Sequence, residues 1–245
     1  MVKIRYHFLF ILFLLIPSSI LFGQVIIIDA IEVNTSSLSG KGTLPEFSNF
    51  ISGTKNPSLF RTRDISNPTN ESSARSTGVS IDFIFRSINN PRHQFIAGFE
   101  AANMTTDLYE LQGTFQDTIA VTSTYTSVSE HFFLRAGYNY VRAPQRKFTL
   151  MAGAVVRLGI PISSKTEENV SGIDLLDSEF SFFAKQSASI GLSVPFGFRF
   201  KVIKNLSMTF TSKPTFHYSG LDGTPHFMIL RGTNLAFHFK LRRGS

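Results

Sequence analysis

The sequence contains no cysteine and no tryptophan. Without thiols, a disulfide scaffold, a thiolate zinc site and a cysteine nucleophile are all excluded. Charged residues are also scarce, at 17% against about 25% in a typical soluble domain. The formal net charge is nevertheless +7, and a basic balance of this kind often indicates a nucleic-acid partner. Because Lys and Arg are scattered along the chain, with no run longer than Arg242-Arg243, no nucleic-acid partner is predicted.

The N-terminal segment, residues 1–23, has the pattern of a secretory signal peptide. Lys3 and Arg5 supply its positive start, and the apolar run over 8–16 is too short to span a bilayer as a mature helix. Gly23 offers a small residue before a cleavage site. The alternative is an uncleaved N-terminal anchor. No later stretch of the sequence is long and apolar enough for a membrane helix, so a membrane location would require a closed barrel.

Bulky apolar residues alternate with small or polar residues along most of the remaining chain. Phe196, Phe198 and Phe200, for example, alternate with Gly197 and Arg199. A period of two is that of a β-strand whose two faces meet different surroundings. Seven segments show this pattern: 79–86, 94–102, 131–140, 148–160, 190–202, 206–213 and 235–242.

Short turns alternate with long polar segments between these predicted strands. The short turns contain Asn or Pro and cover 89–92, 143–146 and 204–205. The long polar segments cover 114–127, 164–181 and 220–226. This alternation is typical of a bacterial outer-membrane barrel, which has short periplasmic turns and longer external loops.

An even number of strands requires one more strand before residue 79. The best candidate is 25–35, which is rich in Ile and Val, although Asp29 and Glu32 fall on opposite faces there. Residues 36–77 would then form a long polar first loop. The sequence therefore predicts an all-β, eight-stranded, antiparallel up-and-down transmembrane β-barrel over 24–245. Its first strand and loop occupy 24–77, and the seven clear strands occupy 78–243.

The sizes of the alternating residues favour a membrane barrel over a soluble one. An eight-stranded barrel has an interior only wide enough for side chains, and a Phe from every strand would overfill it. The bulky face is therefore expected to meet lipid, and the small and charged face to fill the lumen, where charges require partners. The predicted polar network of the lumen consists of Asp82, Arg86, Glu100, Arg135, Arg157, Arg199 and Lys213. The soluble alternative is a secreted, lipocalin-like carrier.

Three segments carry a resemblance to a known group of proteins. The sequences FGFRFKVIKNLS at 196–207, EHFFLRAGY at 130–138 and FTLMAGA at 148–154 resemble small outer-membrane β-barrel proteins of Bacteroidota. The resemblance covers roughly 78–243. It implies a fold like the OmpA transmembrane domain or OmpX, and a general similarity to PorT-type proteins.

That fold implies a place in the outer membrane of a Gram-negative bacterium. The expected partners are outer-membrane lipid and lipopolysaccharide, the barrel-assembly machinery, and an envelope or secretion-system protein.

Little in the sequence points to catalysis, and no metal or cofactor site is predicted. His217 and Ser219 have the H-x-S spacing that is similar to PagL-type lipid A deacylases, in which a His activates a Ser nucleophile. Three departures argue against that activity. Gly220 stands where the family usually has Asn, and Arg231 stands near the place of the expected Glu. The alternation from Leu206 also puts both residues in the lumen, whereas the family's pair faces lipid.

Three functions therefore remain open at the level of sequence. The favoured one is a non-enzymatic barrel that acts as a structural, adhesion or scaffold protein through its external loops. The alternatives are a lipid A deacylase that uses His217 and Ser219, and the secreted carrier.

Overall fold

The regular elements in the described part of the protein are all β-strands. A computed structural model describes residues 26–43, 61–64, 71–88, 90–115, 119–171, 180–182, 188–221 and 224–241, and the predicted signal segment 1–23 lies outside them. The strands are β1 (Ile26–Thr43), β2 (Arg61–Asp64), β3 (Glu71–Ser87), β4 (His93–Phe115), β5 (Ile119–Arg142), β6 (Phe148–Ser171), β7 (Phe180–Phe182), β8 (Ser189–Ser193), β9 (Phe196–Ile203), β10 (Leu206–Ser212), β11 (Thr215–Leu221) and β12 (Thr224–Lys240). Within these ranges, no helix has the length and apolar character needed to cross a membrane.

The strands form a closed antiparallel ring. Each strand pairs with the next in the order β1-β3-β4-β5-β6-β8-β11-β12-β10-β9, and β9 also pairs with β6. The ring closes where β1 pairs with β12, from Ala30–Lys240 to Gly42–Met228. The short strands β2 and β7 lie off the ring and pair with β4 and β6. The all-β antiparallel prediction is confirmed.

The described part of this ring contains ten strand segments, where the sequence predicts eight strands. Pro195 separates β8 from β9, and Pro214 separates β10 from β11. Proline has no N–H to donate to a ladder, so the regular pairing stops there. Backbone hydrogen bonds still cross both breaks, since Gly153 N–H donates to Pro195 O at 2.8 Å and Lys213 N–H donates to Gly232 O at 2.9 Å.

The strands are steeply tilted with respect to the axis of the ring. Following cross-strand partners from Phe239 of β12 through β1, β3, β4, β5, β6, β8 and β11 returns to β12 at Ile229. This path makes eight steps between strands and comes back ten residues from its start. With a rise of about 3.3 Å per residue and a strand spacing of about 4.8 Å, the tilt is about 40°, inside the range of closed barrels.

The strands extend further than the sequence predicts. β1 continues to Thr43, and β3 begins at Glu71, so the first connection is shorter than 36–77. The described residues of the predicted polar segments 114–127, 164–181 and 220–226 all lie in strands, because β4, β5, β6, β7, β11 and β12 run into these segments. These stretches contain many Thr, Val and Tyr residues, which favour strands even where both faces are polar.

A β-bulge explains the poor alternation of the first strand. The register against β3 shifts between Ile28 and Ala30, which inserts one extra residue into β1. Asp29 and Ala30 consequently both point inward, with exposures of 7% and 0%, and Glu32 is also buried. Both carboxylates of β1 therefore lie on the same, inner side of the ring.

The two faces of the ring differ sharply in chemistry. The inner face is rich in charged and hydroxyl side chains, while large apolar side chains are exposed on the outer face. Val79, Phe148 and Leu150 each expose half or more of their surface. The outer apolar side chains form a belt that includes Phe83, Phe99, Phe132, Leu134, Val156, Phe196, Phe198, Phe210, Phe216 and Phe237.

Candidate functional site

A cluster of ion pairs around Glu100 occupies the middle of the ring. Arg157 Nη1 lies 3.1 Å from Glu100 Oε1, while Arg135 Nε and Lys213 Nζ lie 3.7 and 3.9 Å from Oε2. These side chains come from four different strands or strand ends, and all are nearly inaccessible to solvent. A buried carboxylate surrounded by three cations is held by Coulomb attraction that water screens only weakly.

Arg135 connects Glu100 to a second carboxylate, Asp82. Arg135 Nη1 lies 3.1 Å from Asp82 Oδ2, and Asn34 Nδ2 donates to the same oxygen at 2.9 Å. Arg135 also donates to the hydroxyl of Ser80. Four elements of the ring are thereby joined through one guanidinium group and its partners.

A second cluster lies nearer the short turns and is centred on Glu32. Arg199 Nη2 lies 2.9 Å from Glu32 Oε2, and His238 Nδ1 lies 3.2 Å from the same oxygen. Arg199 also donates to Thr209 Oγ1 at 3.1 Å and to Gln94 Oε1 at 3.4 Å. A planar guanidinium can serve several acceptors at once, which suits it to a crowded interior.

Arg86 and Asp29 form a third pair at 2.5 Å, more exposed than the others. The structure thus places all seven residues of the predicted network on the inner side of the ring, in three groups instead of one. Sequence reasoning missed Asp29 and Glu32 as partners. The sequence indicated this role only by two acidic residues on opposite faces of an apolar strand. The β-bulge at Asp29 is the feature that puts both carboxylates on the inner face.

Phe133 separates the Glu100 cluster from a group of histidines. It is fully buried, and its ring lies under the Arg157 guanidinium, with 4.7 Å between the guanidinium carbon and the ring centroid. His131 stacks on Phe133 at 5.4 Å, and His217 meets it edge-on at 6.0 Å. Gly159 makes room for this ring, because a Cβ at Gly159 would lie 2.4 Å from Phe133 Cε1.

Beyond Phe133 lies a small polar cavity, which we call the histidine chamber. Its lining side chains are Met104, Thr106, Ser127, Ser129, His131, His217, Ser219, His226 and Met228. Its volume is about 10 Å³, about enough for one water molecule. His226 Nε2 lies 3.2 Å from Ser72 Oγ, and His131 Nε2 lies 3.1 Å from Ser129 Oγ. Over the described ranges, no three His, Asp or Glu side chains are arranged to share a metal ion.

His217 and Ser219, the alternative catalytic pair, both lie in this chamber with exposures of 1% and 5%. Neither ring nitrogen of His217 has a hydrogen-bond partner within the described part of the chain. A histidine that activates a serine must accept its hydroxyl proton, so this geometry does not contain the activated nucleophile. Arg231 is exposed and lies on the outer face of β12.

Comparisons with known proteins find fold likeness only. No protein-family model matches the chain, and no curated protein matches it. Among solved structures, it is similar to Neisserial surface protein A, at 12% identity over 84% of this chain and 96% of that one, with a TM-score of 0.34. It is also similar to Ail, the attachment invasion locus protein of Yersinia pestis, at 12% identity, 85% and 99% coverage and a TM-score of 0.31.

A third similar structure is the outer membrane protease OmpT from Escherichia coli, at 10% identity, 89% and 98% coverage and a TM-score of 0.34. Ail is named for attachment and invasion, whereas OmpT is named as an outer membrane protease, so these similar structures share no single named activity.

Proposed function

We propose that this chain is a non-enzymatic, eight-stranded transmembrane β-barrel of the outer membrane of a Gram-negative bacterium. It acts as a structural, adhesion or scaffold protein through its external loops. The observation that carries this proposal is the chemistry of the two faces of the ring, which is the reverse of that in a soluble protein. The charged side chains are buried inside the ring, and the large apolar side chains are exposed on its outside.

The outer surface is suited to hydrocarbon and poorly suited to water. A soluble monomer rarely exposes a continuous apolar patch of more than a few hundred Å². Here Phe148, Phe198 and Phe210 stack side by side on three adjacent strands, with ring centroids 5.3 and 5.4 Å apart, and all three are exposed. A closed antiparallel ring also pairs its backbone groups internally, which hydrocarbon requires.

The interior argues against the secreted carrier. A lipocalin-like protein holds its ligand in an apolar cavity. The inside of this ring is instead crossed by ion pairs between strands, such as Arg157–Glu100 and Arg199–Glu32. The histidine chamber has room for about one water molecule.

The long strands β4, β5 and β6 favour a role for the end opposite the short turns. The outer residues Phe99 and Phe132 belong to the apolar belt, whereas Asn103, Thr105 and Glu130 further along β4 and β5 are polar. The strands therefore continue beyond the belt as a polar hairpin sheet. Such a projection, bearing the loops, suits contact with another molecule outside the cell.

The partners on this proposal are outer-membrane lipid and lipopolysaccharide, the barrel-assembly machinery during insertion, and an envelope or secretion-system protein held by the loops. A Bacteroidota origin and a PorT-type role remain predictions from sequence resemblance. The deacylase alternative keeps only the H-x-S spacing of His217 and Ser219 in its favour.

Membrane fractionation combined with gel migration tests the proposal. The protein should sediment with outer membranes, resist extraction by carbonate, and migrate differently before and after boiling in detergent. Recovery as a carbonate-soluble species with a single gel mobility would contradict a membrane barrel and would favour the secreted carrier instead.

A further inference from the structure

Seven exposed cations surround the end of the ring that bears the short turns. We call this set the basic collar: Arg92, Arg142, Arg146, Lys147, Lys201, Lys204 and Lys240. They come from the turn before β4, the end of β5 and the turn that follows it, the last residues of β9 and the turn that follows it, and the end of β12. These positions are far apart in the sequence, so the basic residues appear scattered there. The pairing of the strands brings them together at one end of the ring.

The collar carries charge of one sign. Within the described residues, the carboxylates nearest this end, Asp29 and Glu32, are buried and already paired, with Arg86 at 2.5 Å and Arg199 at 2.9 Å. The opposite end of the ring carries charges of both signs. Exposed cations such as Lys41 and Arg231 are accompanied there by exposed acids such as Asp107 and Glu130.

The collar lies at the boundary of the apolar belt. The Lys147 ammonium is 5.2 Å from the ring centroid of Phe200, an exposed aromatic residue of the belt. Arg142 follows Tyr140 by two residues in β5 and therefore shares its outward face. In a bilayer, aromatic side chains at the end of an apolar belt lie at the level of the lipid headgroups. The adjoining cations lie at the same level.

Backbone hydrogen bonds hold the collar in a fixed frame. Lys201 N–H donates to Lys147 O, Val141 N–H donates to Arg92 O, and Lys240 N–H donates to Asn205 O, each at 2.8 Å. The turns are thus tied to neighbouring strands, which fixes the backbone positions of the collar residues around the rim.

We propose that the basic collar binds the headgroups of anionic phospholipids in the leaflet that meets the short turns. This inference rests on the membrane location proposed above. Guanidinium groups form paired hydrogen bonds with phosphate oxygens, and ammonium groups bind phosphate as point charges. Clustered Lys and Arg next to a membrane surface are attracted to acidic lipids, and this attraction weakens with salt.

Electron paramagnetic resonance of spin-labelled lipids tests the proposal on the full chain reconstituted in phosphatidylcholine bilayers. Labelled phosphatidylglycerol should associate with the protein several-fold more strongly than labelled phosphatidylcholine at low ionic strength. The preference should fall towards unity at about 1 M salt, where the Debye length is about 3 Å. The triple variant Arg142→Gln/Arg146→Gln/Lys147→Gln should lose most of it.

A matched control neutralises three exposed cations at the opposite end, Lys41→Gln/Arg75→Gln/Arg231→Gln, and should keep the preference. If the first triple variant does not insert, the double variant Arg92→Gln/Lys204→Gln gives the same test and should show a partial loss. An equal loss in the control, or no preference for phosphatidylglycerol in the unaltered protein, would overturn the collar proposal. Failure of the unaltered protein to insert into phosphatidylcholine bilayers would instead overturn the proposed membrane location.

Discussion

Arg157 donates to Glu100 across 3.1 Å although the two residues are 57 positions apart and both are enclosed by the ring. Arg157 also lies against the ring of Phe133, so one guanidinium links a carboxylate of β4 to an aromatic residue of β5. This contact spans the middle of the lumen. It also makes the stability of the ring depend on charge balance, because burying an unpaired charge is costly.

Replacing Glu100 should therefore destabilise the protein strongly. Glu100→Gln leaves Arg157, Arg135 and Lys213 without the carboxylate they share, and losing one partner of a buried pair costs about 3–5 kcal/mol. Urea unfolding of the reconstituted protein, followed by gel mobility, measures the free energy of unfolding.

The matched control is Glu130→Gln. Glu130 is an exposed carboxylate that accepts a hydrogen bond from Ser163 at 3.1 Å, and its loss should cost less than about 1 kcal/mol. Equal effects of the two substitutions would show that the lumen is hydrated enough to screen its charges.

Phe198→Arg should impair insertion into membranes. Phe198 is stacked between Phe148 and Phe210 on the outer face. A cation at this position would lie in hydrocarbon, which costs about 2–4 kcal/mol at mid-bilayer and less near an interface. The yield of the heat-modifiable form measures the effect. Phe198→Leu keeps the surface apolar and should insert normally, and Ile203→Arg, at the short-turn end of β9, should be tolerated. If Phe198→Arg inserted as well as Phe198→Leu, the outer face would not be facing lipid.

Enlarging Gly159 should also destabilise the ring. A Cβ at this position would lie 2.4 Å from the ring of Phe133 and 2.2 Å from Ser189 Oγ, and overpacking of this kind costs about 1–3 kcal/mol. Gly159→Ala should lower the urea midpoint, whereas Ala154→Val, on the outer face of the same strand, should leave it nearly unchanged. An unchanged midpoint for Gly159→Ala would mean that Phe133 can move away freely.

Much of this arrangement could be predicted from the sequence, because a strict period of two assigns each residue to a face. The inward position of Arg135, Arg157 and Arg199 followed directly from that period. The partners of these residues could not be predicted in the same way. Arg199 meets Glu32 across 167 residues of chain, and that contact depends on the closure of the ring between β1 and β12.

Two local features made parts of the strand pattern hard to identify from the sequence. The bulge at Asp29 changes the phase of β1 by one residue, so that a strand with one buried face reads as irregular. The outer ends of β4 and β5 are polar on their outward face, and a polar strand cannot be told from a loop by hydrophobic alternation. Cross-strand pairing, which stabilises both ends, is a non-local property of the chain.

The last prediction concerns catalysis: His217→Ala and Ser219→Ala should leave the acylation of the host's lipid A unchanged. Both side chains point into a chamber that holds about one water molecule, which is far too small for an acyl chain. The His217 ring also accepts no hydrogen bond from Ser219, so the nucleophile is not activated. Mass spectrometry of lipid A from cells with and without the unaltered protein makes the comparison, with Ser129→Ala as a control for a hydroxyl lost from the same chamber. Removal of one acyl chain by the unaltered protein but not by Ser219→Ala would make the chain a deacylase and refute its proposed non-enzymatic role.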